Sequence, residues 1–197
     1  MISILIALLL IRFIGTFMRQ VEQPKYTVLS SNDNIELRDY EAIIVAEVEV
    51  FGERKDAIKE GFKRLADYIF GNNIAMSTPS INPQNEKIKM TAPVMQEGQK
   101  DQWKVRFVMP AKYSLDTLPK PNSKEVSILP VAAKRFAVIR FSGLPDNERI
   151  KLHLQKLEEF IASEKWQTIG NPIFAFYNPP WTLPFLRRNE VMLEVCK

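Results

Sequence analysis

Two periodicities alternate along residues 26–197. The stretch 53–69 carries Ile58, Phe62, Leu65 and Ile69, and the stretch 146–161 carries Ile150, Leu154, Leu157 and Ile161. Each series is spaced 4, 3, 4, which puts its members on one face of an α-helix. The two series correspond position for position at an offset of 92 residues. A β-rich run precedes each helix: 42–50, where Ile44, Ala46, Val48 and Val50 alternate with Glu47 and Glu49, and 135–141, with Phe136, Val138, Ile139 and Phe141. Gly52 and Gly143 fall in the strand-to-helix turns, and Pro145 suits a helix start. Alternating segments follow each helix: Trp103, Val105, Phe107 and Met109 opposite Lys104 and Arg106, and then Val191, Leu193 and Val195 near the C-terminus. The stretch 71–85, rich in Gly, Asn, Ser and Pro, reads as a loop, and 110–124 reads as a linker.

Strands, helix, strands, written twice, predicts an α+β domain at 26–197 with largely antiparallel pairing and internal repeats at about 26–110 and 125–197. Neither half has enough strands to cover both faces of its own sheet. The expected architecture is therefore one pseudo-two-fold unit, a curved sheet or distorted antiparallel β-barrel, with the two long helices outside.

The N-terminus has a different pattern. Residues 2–18 are apolar except for Ser3, Arg12, Gly15 and Thr16. Seventeen residues sit at the lower limit for spanning a bilayer, about 17–25, and Arg12 costs about 2.5–3.5 kcal/mol on insertion scales. A secretory signal would want basic residues before the apolar run and a small-x-small cleavage site after it, and the chain has neither. The segment 1–18 is thus read as an uncleaved membrane anchor, followed by a linker at 19–25. A cleaved signal peptide, which would export the domain, is the main alternative, and a buried helix is a lesser one. Basic residues on the C-terminal flank place the domain on the cytoplasmic side.

Charge then looks less informative than it first appears. The chain of 197 residues has a net charge of +4, which invites a nucleic-acid reading. Residues 1–25 carry Arg12, Arg19 and Lys25 against Glu22, so half of the excess flanks the apolar segment. Elsewhere acidic and basic residues are interspersed, with no basic run interleaved with aromatics, and nucleic-acid binding is disfavoured. One Cys and one His exclude a disulfide framework and any Cys-rich or multi-His metal site. No phosphate loop, zinc-protease helix or nucleophile elbow occurs. Cys196 is penultimate in the chain and reads as inert, and Glu158 and Glu159 are adjacent helix-surface charges. No catalytic residue is predicted.

Three segments carry a resemblance: Ile35-Glu36-Leu37-Arg38-Asp39-Tyr40; the run 86–94, with Lys89-Met90-Thr91-Ala92-Pro93-Val94; and Tyr177-Asn178-Pro179-Pro180 followed by Arg187-Arg188-Asn189-Glu190-Val191. Together and in this order they resemble the SOUL haem-binding protein family, over nearly the whole domain. The resemblance implies a duplicated α+β barrel that binds haem or porphyrin non-covalently, without enzymatic activity, and that shares its fold with effector-binding domains of bacterial regulators. It also implies a cleft between the first helix and the loop leading to the last strand. The matching positions are Lys59, Phe62 and Lys63 on the helix, and Trp181, Phe185, Arg187 and Arg188 on the loop.

The residues suit such a ligand in part. Lys55, Lys59 and Lys63 recur every four residues beside Phe62, an apolar face bordered by cations. Trp181 and Phe185 would stack on a tetrapyrrole, and the Arg pair would bind its propionates. The bland alternatives are a solvated amphipathic helix, and an Arg pair that binds carboxylates inside the fold. Asp67 and Thr182 stand where relatives carry basic residues, and Asp39 stands where some carry a His able to ligate iron. His153, Met90, Met95 and Tyr177 remain as axial candidates, and the expectation is weakly ligated or unligated iron. The alternative function on the same scaffold is an effector-sensing or protein-interaction module.

Overall fold

The computed structural model describes residues 21–71 and 87–197. The apolar segment 1–18 and nearly all of the 71–85 loop lie outside those residues. Among the described residues, no helix is long and apolar enough to cross a membrane.

In chain order the elements are β1 (Tyr26–Asn32), β2 (Ile35–Tyr40), β3 (Ile43–Phe51), α1 (Arg54–Ile69), β4 (Val94–Gln99), β5 (Gln102–Val108), β6 (Ser127–Val131), β7 (Lys134–Phe141), α2 (Asn147–Ser163), β8 (Gln167–Phe176) and β9 (Asn189–Cys196). The strands form one nine-stranded sheet in the order β1-β2-β7-β9-β8-β4-β5-β3-β6, antiparallel at every pairing. Reading outward from the β8–β4 junction gives β9-β7-β2 on one side and β5-β3-β6 on the other. β2 therefore pairs with β7 of the C-terminal half, and β6 with β3 of the N-terminal half. Because β1 and β6 are the two free edges, the sheet is open; the closed form of the expected barrel is not adopted.

Strand alternation sorts the side chains onto two faces. One face carries Ala46, Val48, Val105, Phe107, Ile139, Val191 and Leu193 and is covered by both helices. The other carries Val45, Met95, Val108, Phe136, Val138, Ala175 and Met192 and has no helix over it, yet it too is buried. Curvature explains this. In a flat sheet, five strand spacings would separate β7 from β3 by about 24 Å. Instead Phe136 of β7 and Val45 of β3 line one small cavity, together with Tyr40 of β2 and Val131 of β6. The sheet is rolled with its helix-free face inward.

α2 follows the predicted stripe: Ile150, Leu157 and Ile161 are buried, with Leu154 packed beside them. Asp146 caps it by accepting from the Arg149 amide at 2.8 Å, and Asp146→Ala is expected to lower the melting temperature by a few degrees in a thermal unfolding scan. α1 is rotated relative to its predicted stripe. Its buried positions are Arg54, Ala57, Gly61, Leu65, Tyr68 and Ile69, while Phe62 is 37% exposed. Gly61 sets this rotation: a Cβ there would lie 2.5 Å from Val105 Cγ2, so the helix seats on the sheet through bare backbone.

A candidate tetrapyrrole site

The N-termini of α1 and α2 meet the 177–188 loop through the segment 142–147. From α1, Arg54 donates to Pro145 O at 2.7 Å and to Asn147 Oδ1 at 2.9 Å. The Gly143 amide then donates to Pro184 O at 2.8 Å, and Asn189 Nδ2 donates to Gly143 O at 3.0 Å. These contacts connect the helix half and the loop half of the expected cleft through the turn between them.

On α1, Lys55, Lys59 and Lys63 are exposed as expected. Lys59 makes only a solvent-facing pair with Asp56, at 3.3 Å, so it gives up little if it turns to another anion. Phe62 rests edge-on against Phe107, with ring centroids 5.3 Å apart, and presents its outer side to solvent. On the loop, Trp181 is 84% and Phe185 70% exposed.

The arginine pair behaves differently from the lysines. Arg187 turns back on its own loop, donating to Thr182 O at 2.8 Å and to Pro180 O. Arg188 points into the fold and binds Glu190 at 2.8 Å, with its guanidinium 3.8 Å from the Tyr177 ring centroid. Glu190 is 1% exposed. It also accepts from Arg38 at 3.1 and 3.2 Å and from the Tyr177 hydroxyl at 2.7 Å. Burial would push the Glu190 carboxyl up, but the charges of Arg38 and Arg188 hold it below its ordinary 4.5. Burial, reinforced by the Glu190 charge, keeps the Tyr177 phenol well above its usual range, so Tyr177 stays neutral and acts as a donor. Burial also pushes Tyr40 up to about 12.

The sequence contained the parts of this cluster but not their meeting. Arg38 and Glu190 are 152 residues apart. The available signal was a polar residue at an interior-facing register: Arg38 flanks Leu37 in β2, and Glu190 precedes Val191 in β9.

The axial candidates are not brought together. His153 stacks on Phe141, with centroids 4.1 Å apart, and its Nδ1 lies 2.7 Å from its own helix's Arg149 O. Met95 and Tyr177 line the helix-free cavity of about 50 Å³, with Tyr40, Phe136 and Met192, whereas Met90 is exposed. Asp39 is engaged by Arg135 at 2.6 and 2.8 Å. Among the described residues, no group of three or more His, Cys, Asp or Glu is placed to hold a metal ion.

The fold is similar to that of the C-terminal domain of EcmrR, with a TM-score of 0.63 and 11% identity over 87% of this chain and 98% of that one. It is also similar to a protein described as a hydrolase from Listeria innocua, with a TM-score of 0.57 and 10% identity over 85% of this chain and 94% of that one. At such identities the likeness is one of fold. No curated protein matches the chain by sequence. The family described as SOUL heme-binding protein matches residues 21–194. That match runs from ahead of β1 into β9, and the chain belongs to the SOUL heme-binding protein family.

Proposed function

We propose that the domain binds haem or porphyrin reversibly and without catalysis, as a buffer, carrier or sensor of tetrapyrroles tethered to a membrane by residues 1–18. The family match over residues 21–194 carries this reading. Lys59 and Lys63 take the propionates, and Phe62, Trp181 and Phe185 supply apolar contact to the macrocycle. Arg187 and Arg188 serve the same site from beneath, by bracing the loop that presents the two aromatics. Iron gains no imidazole from this arrangement, so haem and metal-free porphyrin bind comparably. The two halves, with matching strand orders about the β8–β4 junction, are read as a duplication. The basic residues at the C-terminal end of the apolar run support a cytoplasmic position for the domain.

Spectral titration of the full chain in detergent with haemin and with protoporphyrin tests this. Saturable binding of both is expected, with Lys59→Glu/Lys63→Glu weakening each about tenfold. An unchanged Soret band at micromolar haemin would refute the reading.

A second reading, an effector-sensing module for a small apolar ligand, is favoured by the helix-free cavity lined by Tyr40, Met95, Phe136, Tyr177 and Met192. A ligand held there would be indifferent to Lys59 and Lys63.

A further inference from the structure

The 177–188 loop is built to leave water. Trp181, Phe185 and Leu183, at 84, 70 and 54% exposure, stand out from it, and Leu144 is exposed on the adjoining turn. Yet five of its backbone carbonyls, from Pro179 to Pro184, are occupied from within. Pro179 O accepts from the Thr182 amide, Leu183 O from the Leu186 amide, and Pro184 O from the Arg187 and Gly143 amides. Pro180 O and Thr182 O accept from the Arg187 side chain. Pro179, Pro180 and Pro184 carry no amide hydrogen. No acidic residue occurs between Asn178 and Arg188. Apolar side chains outside, with much of the backbone's hydrogen bonding turned inward, suit a segment lying at the interface of a bilayer, where the remaining polar groups still meet headgroups and water.

Where the N-terminal chain leaves the domain identifies the medium. Glu22 O accepts from the Ala92 amide at 2.9 Å, and the Glu22 carboxylate accepts from the Ala111 amide at 2.6 Å. Gln23 Oε1 accepts from Arg188 at 3.1 Å. The chain thus exits beside Arg188, at the end of the loop itself. Five residues, from Gln23 back to Met18, span at most about 18 Å, so an apolar segment 2–18 inserted in a bilayer holds that bilayer near Arg188, at the base of the loop that carries Trp181 and Phe185.

We propose that Trp181, Leu183 and Phe185 dip into the interface of the same membrane that residues 2–18 enter, so that the domain docks edge-on and does not swing on a tether. The proposal rests on the anchor reading above, and lipid and tetrapyrrole compete for Trp181 and Phe185. When no tetrapyrrole is held, these side chains face lipid.

Trp181 reports on itself. Trp103 is buried, and Trp166 precedes β8 while the loop follows it, which puts Trp166 at the other end of that strand, at most about 33 Å from the start of the loop. The full chain is incorporated into phosphatidylcholine–phosphatidylglycerol vesicles with and without brominated phosphatidylcholine, and flotation is scored alongside tryptophan emission. Flotation with bromolipid quenching, abolished in Trp181→Phe and reduced in Phe185→Asp, is the expected result. Flotation without quenching, or quenching unaffected by both substitutions, overturns the docking while leaving the anchor. Failure to float overturns both, and the haemin titration is untouched by either outcome.

Discussion

Glu190→Gln is expected to be the most damaging single substitution in the domain. It keeps the shape of the side chain but removes the charge on which Arg38 and Arg188 converge, leaving two half-neutralised guanidiniums in the protein interior. Arg38 retains Glu36 at 2.6 Å, on its solvent side, so the loss is partial for Arg38. Arg188 has Glu190 and Gln23 as its side-chain partners. Breaking one member of a buried ion cluster costs about 3–5 kcal/mol, which for a domain of this size lowers the melting temperature by roughly 6–20 °C. The sign of the pH dependence follows from the lowered carboxyl. A group whose folded-state pKa is depressed contributes stability that is present above its unfolded value and is lost as pH falls through the folded one. The stability gap between wild type and Glu190→Gln, measured by urea unfolding, should therefore be full at pH 7 and shrink below about pH 4.5. An equal gap at pH 7 and pH 3 would show that the charge of Glu190 does not hold the cluster.

Gly61→Ala is expected to destabilise a helix that it should, on propensity alone, improve. Ala in place of Gly in a helix interior favours the helix by up to about 1 kcal/mol. Here the new methyl would sit 2.5 Å from Val105 Cγ2 and 2.6 Å from Val105 Cβ, and Val105 is fully buried in β5, between β3 and β4. Lifting α1 to make room costs about 1–3 kcal/mol in overpacking, and the net is a loss. The double variant Gly61→Ala/Val105→Ala should recover part of it. A double-mutant cycle by chemical denaturation should return a coupling of about 1 kcal/mol or more. The effect reaches the candidate site, because Lys59, Phe62 and Lys63 move with α1, and tetrapyrrole affinity should fall in Gly61→Ala without any contact residue being changed.

That glycine also marks the boundary of what could be read in advance. The helix at 53–69 and the strands around it were legible because their periodicities span many residues. The face α1 turns inward was not, because a 4-3-4 apolar spacing does not reveal that a glycine next to Phe62 permits closer approach than any side chain. α2 has no such glycine and follows its stripe. At the site, the exposed lysines and loop aromatics were legible as residue types. The fate of the Arg pair was legible in part: the alternative of a carboxylate inside the fold holds for Arg188, which meets Glu190, but not for Arg187, which turns to the carbonyls of its own loop. The choice between a curved sheet and a closed barrel was also left open by the sequence, since alternation fixes faces but not edges, and the sheet is open at β1 and β6.

Each half lends an early strand to the other: Ile35 of β2 lies opposite Ile139 of β7, and Ile44 of β3 opposite Pro130 of β6. For a chain synthesised from its N-terminus this sets a schedule. β2 has no inner neighbour until β7 has been made, β7 none on its far side until β9 has been made, and Glu190 arrives only with β9, the last strand of the sheet in chain order. Folding must therefore wait for contacts between residues more than a hundred positions apart, the high-contact-order regime of milliseconds to seconds.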